Sequence, residues 1–369
     1  MVSTVKTIDC RQANEIWLGI PTIEITPQGR FIVAWFSGGV CEPDPKNRIH
    51  IQTSTDGISF SEPEILVEFP GMRRAYDPCL WMTPQGELWM TYNVSDPVEN
   101  YNSFEAIVCR QPDADQLVWS EPRQFDFNLP FSFRMNKPLA TSTGRWLIPL
   151  SWNRNPVHWL DCLKDENIER WSDGQTIRSL REESNIRWLP RKTPSDRDWM
   201  IKNSMLQGAA ISDDQGQTWR FAGAVEAPDW AIENMIIERT SGELLMWIRT
   251  DDGYIWECTS DDGGETWGKA YRTPIENPGT RFYIAALADG RWLALNTPNK
   301  LGRDRICAYI STDEGRSWSP GLQISEGTDV SYPDAVEFEG KIYCVYDRSR
   351  YSEGAICMAS FRPNEIPAS

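Results

Sequence analysis

One unit recurs six times along the 369 residues: a short polar approach, a turn centred on glycine, then an apolar strand. It reads TPQGRFIVAW, TPQGELWMTY, TSTGRWLIPL, RTSGELLMWI, LADGRWLALN and EFEGKIYCVY, with turn glycines at Gly29, Gly86, Gly144, Gly242, Gly290 and Gly340. Glycine suits such a hairpin because a positive φ costs it nothing. Successive glycines stand 57, 58, 98, 48 and 50 residues apart. The regular intervals each fit one four-stranded unit with its loops, so the chain is expected to be all-β, a six-bladed β-propeller forming one domain over residues 1–369. The long interval predicts an insertion in the third blade at about 153–200, where LKDENIERW and PRKTPSDRD break the strand pattern.

A second repeat interlocks with the first. SDDQGQTW (212–219), SDDGGETW (260–267) and STDEGRSW (311–318) share one pattern, and STDGISF (54–60) is a version one residue shorter. This is the Asp-box pattern, S/T-x-D-x-G-x-T/S-W. Its Asp accepts backbone hydrogen bonds across a tight turn, its Gly permits the turn and its Trp packs between blades. Asp214, Asp262 and Asp313 are therefore expected to hold turns on the rim, away from any active site.

Composition narrows the function. The formal net charge of −16 argues against nucleic acid or anionic membrane as a partner, since both need a basic face, while a local arginine cluster can still hold a small anion. Eighteen Trp and eleven Tyr suit sheets and provide stacking platforms for sugars. Nine dispersed cysteines without a CxxC pair, behind an N-terminus with no signal-peptide stretch, read as reduced and buried in a cytoplasmic protein. With only His50 and His158 present, a histidine-based metal site or a Ser-His-Asp triad has little to draw on, and no metal, cofactor or nucleotide motif is visible.

A propeller gathers the starts of its inner strands around the axis, so residues at matching offsets before each turn glycine face one another. Eight to ten positions upstream stand Gly19 and Ile20, Asp77, Arg134 and Asn136, Glu233, Arg281 and Tyr332. Charges at one level of a channel need partners. They form either a site for a polar ligand or a structural ring of ion pairs.

At this point the residues resemble the sialidase superfamily. IENMIIERTSGELLMWIRT looks like the segment carrying a catalytic Glu (Glu233) and, after the strand, a substrate-binding Arg (Arg249). SYPDAVEFEGKIYCVYD looks like the segment with the nucleophilic Tyr, here Tyr332. NKLGRDRICAYISTDEGRSW resembles the stretch holding a second binding Arg, with Arg303 the better match and Arg305 the competitor. CEPDPKNRIHI sits where the acid/base Asp is kept; Asp44 matches by spacing, with Glu42 a substitute. One departure stands out. Where sialidases open their first blade with Arg-Ile-Pro, this chain has Gly19-Ile20-Pro21. Losing one charged donor from a carboxylate clamp costs about 1.5–3 kcal/mol. Arg281, Arg73 and Arg74 are the candidates to replace it.

The resemblance implies retaining glycoside hydrolysis at a terminal acidic sugar. Tyr332 would be the nucleophile, Glu233 its base and Asp44 the acid/base, with Arg249, Arg303, Arg281, Asp77 and Asn136 binding the carbohydrate. Taken singly, each has a structural reading: Tyr332 a core aromatic, Glu233 and Arg249 an ion pair, Asp44 a turn former. Three rivals stay open: a glycosidase for another sugar, a polysaccharide lyase (which needs a base near an acidic α-carbon and would be favoured by a requirement for His50 or His158), and a non-catalytic glycan-binding propeller.

Overall fold

The computed structural model describes residues 4–8, 17–39, 44–96, 101–125, 133–153, 205–227, 230–350 and 354–368. The six expected sheets are present, arranged as a six-bladed propeller. The first blade contains Leu18–Ile25, Phe31–Ser37, Arg48–Ser54 and Glu64–Val67, and the second Arg74–Met82, Leu88–Asp96, Tyr101–Cys109 and Arg123–Phe125. In the third, two short pieces, Phe133–Met135 and Leu139–Ala140, both pair with Trp146–Asn153, followed by Met205–Ser212 and Arg220–Val225. The fourth holds Ala231–Glu238, Leu244–Thr250, Tyr254–Ser260 and Tyr271–Glu276; the fifth Tyr283–Ala286, Trp292–Asn296, Cys307–Ser311 and Leu322–Gln323. The sixth is made of Val330–Phe338, Lys341–Arg348 and Ala355–Phe361, with the N-terminal Thr4–Ile8 as its fourth strand. That borrowed strand ties the N-terminal segment to the last blade and closes the ring. The insertion expected at 153–200 lies outside the described residues, apart from Asn153 at its start.

The turn glycines sit where the repeat puts them. Gly29, Gly86, Gly144, Gly242 and Gly290 have φ between 82° and 88° and donate back to the residue three before, as in Gly29 N to Thr26 O at 2.9 Å. The sixth hairpin is tighter. Phe338 pairs with Lys341, and Glu339 and Gly340 are both at positive φ. This shorter turn explains why Tyr332 lies eight residues before its glycine while Ile20, Asp77 and Glu233 lie nine before theirs.

At the opposite end of each sheet from these turns, the first strands are irregular. The register slips between Gly19 and Thr22, Tyr76 and Cys79, Ile232 and Asn234, and Ser331 and Asp334. In each slip one non-glycine residue takes a left-handed backbone: Ile20 at 56°, Asp77 at 52°, Glu233 at 52° and Tyr332 at 55°. Such conformations cost about 1–3 kcal/mol each and persist only where the surroundings hold them. A bulge lifts a backbone N–H out of the ladder, and it must find another acceptor. Ile20 N donates to Asp347 Oδ2 at 2.8 Å and Glu233 N to Ser151 Oγ at 3.0 Å, each reaching a neighbouring blade.

The core lies between blades, where aromatic side chains meet: Trp81, Trp89 and Trp146 stack edge-on, and Trp247 meets Phe282 at 5.5 Å. The Ser-Asp turns share one core, a serine hydroxyl and a backbone N–H donating to the aspartate. In 212–219, Ser212 Oγ and Thr218 N donate to Asp214 Oδ1 at 2.8 Å each, and Trp219 Nε1 donates to Gly216 O at 3.1 Å. These hydrogen bonds draw the carboxyls of Asp56, Asp214, Asp262 and Asp313 down to about 2. The turns follow third strands, at the end of the blades away from the bulges. None of the six described cysteines forms a disulfide, and all are buried.

Deep in the channel, Lys137 enters from the break in the third blade's first strand. Its Nζ lies 3.1 Å from Glu24 Oε1 of the first blade and 3.1 Å from Asp334 Oδ2 of the sixth, and donates to Ile23 O at 2.7 Å. Burial works against this charge, but Asp334 and Glu24 outweigh it and the ammonium keeps its proton. Asp334 also accepts from Thr22 Oγ1 at 2.7 Å, and Thr22 Oγ1 in turn accepts from Leu80 N of the second blade at 3.0 Å. Lys137→Met leaves two carboxylates facing each other without a cation. It should cost about 3–5 kcal/mol, read as a lowered urea midpoint, whereas an exposed pair such as Arg110–Glu87 should contribute under about 1 kcal/mol.

Candidate active site

The bulges and the ends of the second strands lie at one mouth of the channel, and there the charged residues converge. Tyr332, only 7% exposed, is ringed by four guanidinium groups. Their carbons lie 4.3 Å (Arg350), 4.8 Å (Arg281), 5.6 Å (Arg303) and 5.7 Å (Arg249) from its ring centroid. Arg249 pairs across the strands with Ile232, so the bulge sets its guanidinium beside Glu233. Its Nη1 donates both to Glu233 Oε2 and to the Tyr332 hydroxyl oxygen, the latter at 2.8 Å, while Arg281 Nη2 takes the other Glu233 oxygen at 3.0 Å. Burial alone would raise the Glu233 carboxyl; Arg281 and then Arg249 outweigh it and bring it to about 2. Arg249 also lies over the Trp230 ring.

Three blades supply the remaining parts. Arg303, in the loop before the fifth blade's third strand, donates to Gly279 O at 3.2 Å and Ser331 Oγ at 3.4 Å. Its neighbour Arg305 pairs with Asp304 toward solvent, which separates the two candidates. Asp77 occupies the bulge of the second blade, receives a long hydrogen bond from Asn93 Nδ2 at 3.4 Å and adds its negative charge to the field holding Arg281 protonated. Asn136, just before the lysine, is buried; its Oδ1 accepts from Lys137 N at 3.0 Å and its Nδ2 has no partner among the described residues.

Asp44 stands at the same mouth, in the loop between the first blade's second and third strands. It is 3% exposed and locally held, with Lys46 N donating to its Oδ1 at 2.8 Å and Asn47 Oδ1 accepting from its backbone N at 3.0 Å. Glu42 lies outside the described residues. Of the arginines considered for the gap at Gly19, only Arg281 reaches the tyrosine. Arg73 pairs with Glu105 across Phe69, and Arg74 lies over Tyr76 and reaches Asn47 and Ser95. His50 is buried in the first blade, stacked on Trp35 at 5.6 Å; His158 lies outside the described residues.

Sequence reasoning missed Arg350 and its holder Asp347. The signal was present in the register: Asp347 stands opposite Ser331, next to the Tyr332 bulge, as Arg249 stands opposite Ile232, next to the Glu233 bulge.

Fold and site together define a repeat propeller whose axial mouth gathers cations around a tyrosine, in a chain of net charge −16. Residues 29–197 and 193–344 match the BNR repeat-like domain family, and the chain belongs to that family. It is 37% identical to the anhydrosialidase of Macrobdella decora over 175 residues, a match spanning 45% of this chain and 21% of that protein. Among solved structures, the Hadza microbial sialidase Hz136 superposes with a TM-score of 0.71 at 16% identity, over 95% of this chain and 66% of that one. A Streptococcus pneumoniae sialidase gives 0.68 at 14% identity over 98% and 71%. A Dyadobacter fermentans protein described as of unknown function gives 0.70 at 16% over 98% of this chain and all of that one. The likenesses to solved structures establish the propeller fold.

The Glu233 carboxyl lies below its usual 4.5, so its ionisation stabilises the fold fully above about pH 4.5, and that contribution is lost as pH falls towards 2. Urea midpoints of the wild type should drop across this window. Those of Glu233→Gln should start lower and drop less.

Proposed function

We propose that this chain is an exo-acting glycoside hydrolase that removes a terminal acidic sugar, sialic acid or a close relative, with retention of configuration. The observation that carries this is the Tyr332 hydroxyl, hydrogen-bonded at 2.8 Å to an arginine that also grips Glu233, with three more guanidinium groups around its ring. A purely structural ion-pair ring has no use for a strained tyrosine at its centre. The ring of ion pairs and the plug of the channel are instead separate layers here, the plug being the Lys137 floor.

The chemistry follows from charge. A carboxylate nucleophile is repelled by an acid group beside the anomeric carbon, whereas a neutral phenol is not. Tyr332 Oη attacks that carbon while its proton passes to Glu233, and the bond to the leaving oxygen breaks as Asp44 protonates it. In the second half, Asp44 takes a proton from water, whose oxygen displaces the tyrosyl ether with a second inversion; the phenolate recovers its proton from Glu233. A carboxyl drawn to about 2 is a weak base by itself. The surrounding guanidinium groups are placed to stabilise the negative charge developing on the phenol oxygen. Arg249 and Arg303 hold the sugar's anionic group.

Fluorogenic release from an aryl sialoside, run beside aryl uronides and neutral aryl glycosides, tests the reading. Wild type should release from an acidic glycoside, and Tyr332→Phe should lose at least about a thousandfold in kcat while KM or inhibitor affinity changes little. Silence on every acidic glycoside, or a Tyr332→Phe enzyme of normal rate, defeats it. A related outcome concerns pH: with its carboxyl drawn to about 2, Glu233 stays ionised wherever the enzyme is assayed well above that value, so Glu233→Gln should lower the rate there without adding or moving an acid limb.

A further inference from the structure

Gly19 is glycine for a reason that the backbone does not supply. Its φ lies outside the left-handed region, so any L-residue fits the chain conformation there. What a side chain meets there is crowding, which a shift of a few tenths of an ångström relieves. A Cβ at position 19 would lie 3.1 Å from Asp347 Oδ2, 3.4 Å from Arg350 Nε and 3.6 Å from Arg350 Cζ. The volume that a first-blade side chain would fill is taken by a guanidinium arriving from the sixth blade.

That guanidinium is fixed with unusual completeness. Arg350 is 3% exposed, and its Nε and Nη2 both face Asp347, with Nη2 also donating to Ser331 Oγ at 2.9 Å. Asp347 is fully buried and fixed in turn by Ser331 Oγ at 2.7 Å and by the bulged Ile20 N at 2.8 Å. Ser331 Oγ also receives Arg303. One serine beside the tyrosine thus links two guanidinium groups, and Arg350 has the shortest approach to the Tyr332 ring of the four. A cation held in place before any ligand arrives loses little entropy on binding one.

We infer that Arg350 is a specificity-determining residue that binds the acid group of the substrate, and that Gly19 is the cavity that admits it. The inference rests on the acidic-glycoside reading above and names the residue that selects acid over neutral sugar. A planar guanidinium supplies paired donors that a lysine cannot, so the charge alone does not substitute.

The test compares binding of sialic acid and of glucuronic acid with binding of their neutral methyl esters, in parallel with aryl glycoside turnover. The variants are Arg350→Ala, Arg350→Lys and the double variant Gly19→Arg/Arg350→Ala. Wild type should prefer an acid to its ester. Arg350→Ala should weaken the acid roughly 10- to 100-fold and leave the ester unchanged, and Arg350→Lys should recover only part of the loss. The double variant places a guanidinium beside Asp347 from the first blade and should restore both thermal stability and acid preference. That restoration distinguishes a lost ligand contact from a fold damaged by an unpaired buried Asp347. Equal loss on acid and ester, no loss at all, or a double variant that regains stability without acid preference overturns the assignment of Arg350. Wild type without acid preference overturns it also. An Arg350-dependent acid preference without turnover of any glycoside removes the hydrolase reading and leaves Arg350 in place, whereas turnover of an acidic glycoside undiminished in Arg350→Ala does the reverse.

Discussion

A propeller must fill its own axis, and this one does so with a buried charge. Lys137 of the third blade meets Glu24 of the first and Asp334 of the sixth where an apolar plug would otherwise sit. An ammonium in that position is tolerable only because two carboxylates and a backbone carbonyl surround it. The gain is directional. An apolar contact fixes distance loosely, while a lysine reaching three acceptors fixes three blades relative to one another across the channel. Everything above this floor is hung from the same strands: Asp334 lies two residues after Tyr332, and Glu24 four after Ile20.

The second constraint is the bulge repeated at four blade mouths. Four non-glycine residues in left-handed backbone are a standing cost, and a β-branched residue such as Ile20 resists that conformation most. The cost is offset by hydrogen bonds between blades, because each displaced N–H is caught by a neighbour's side chain where one is offered, as with Asp347 and Ser151. The consequence is chemical. A regular strand would send alternate side chains along the sheet normals, into the spaces between blades. A bulged one turns Asp77, Glu233 and Tyr332 towards the common axis, where four arginines from the fourth, fifth and sixth blades complete the cluster. Strain, inter-blade hydrogen bonding and the gathering of charge are thus one feature seen at three levels.

Membership of the BNR repeat-like domain family accounts for the sheets, and a fold by itself does not fix chemistry. The distinctive content of this chain lies in how it distributes cations. A protein of net charge −16 places four guanidinium groups around a single phenol ring. One of the four, Arg350, comes from the sixth blade and packs against Gly19 of the first.

Much of this was legible beforehand. The turn glycines give the number of blades, since periodicity is a one-dimensional property and a propeller repeats it in space; that Thr4–Ile8 completes the sixth sheet is seen only in the fold. The offset before each glycine picked out Asp77, Glu233, Arg281 and Tyr332, because equal distance from a shared turn means equal height in the channel. Arg249 and Arg303 follow only from the resemblance of their segments to those of sialidases. Other features escaped. Arg350 lies in a loop with no period of its own, and its importance depends on what position 19 lacks, a relation between residues 331 positions apart. Lys137 stands seven residues before Gly144, outside the offset that marks the other candidates, so the repeat does not single it out as the residue that fills the axis. Residue types and their spacing therefore determined the sheets and the height of each candidate along the axis. Which charges meet, which carboxylate each arginine chooses and which blade fills the space at Gly19 were decided by tertiary structure alone, because Coulomb and steric contacts act over a few ångströms between segments that the chain brings together only when its ring closes.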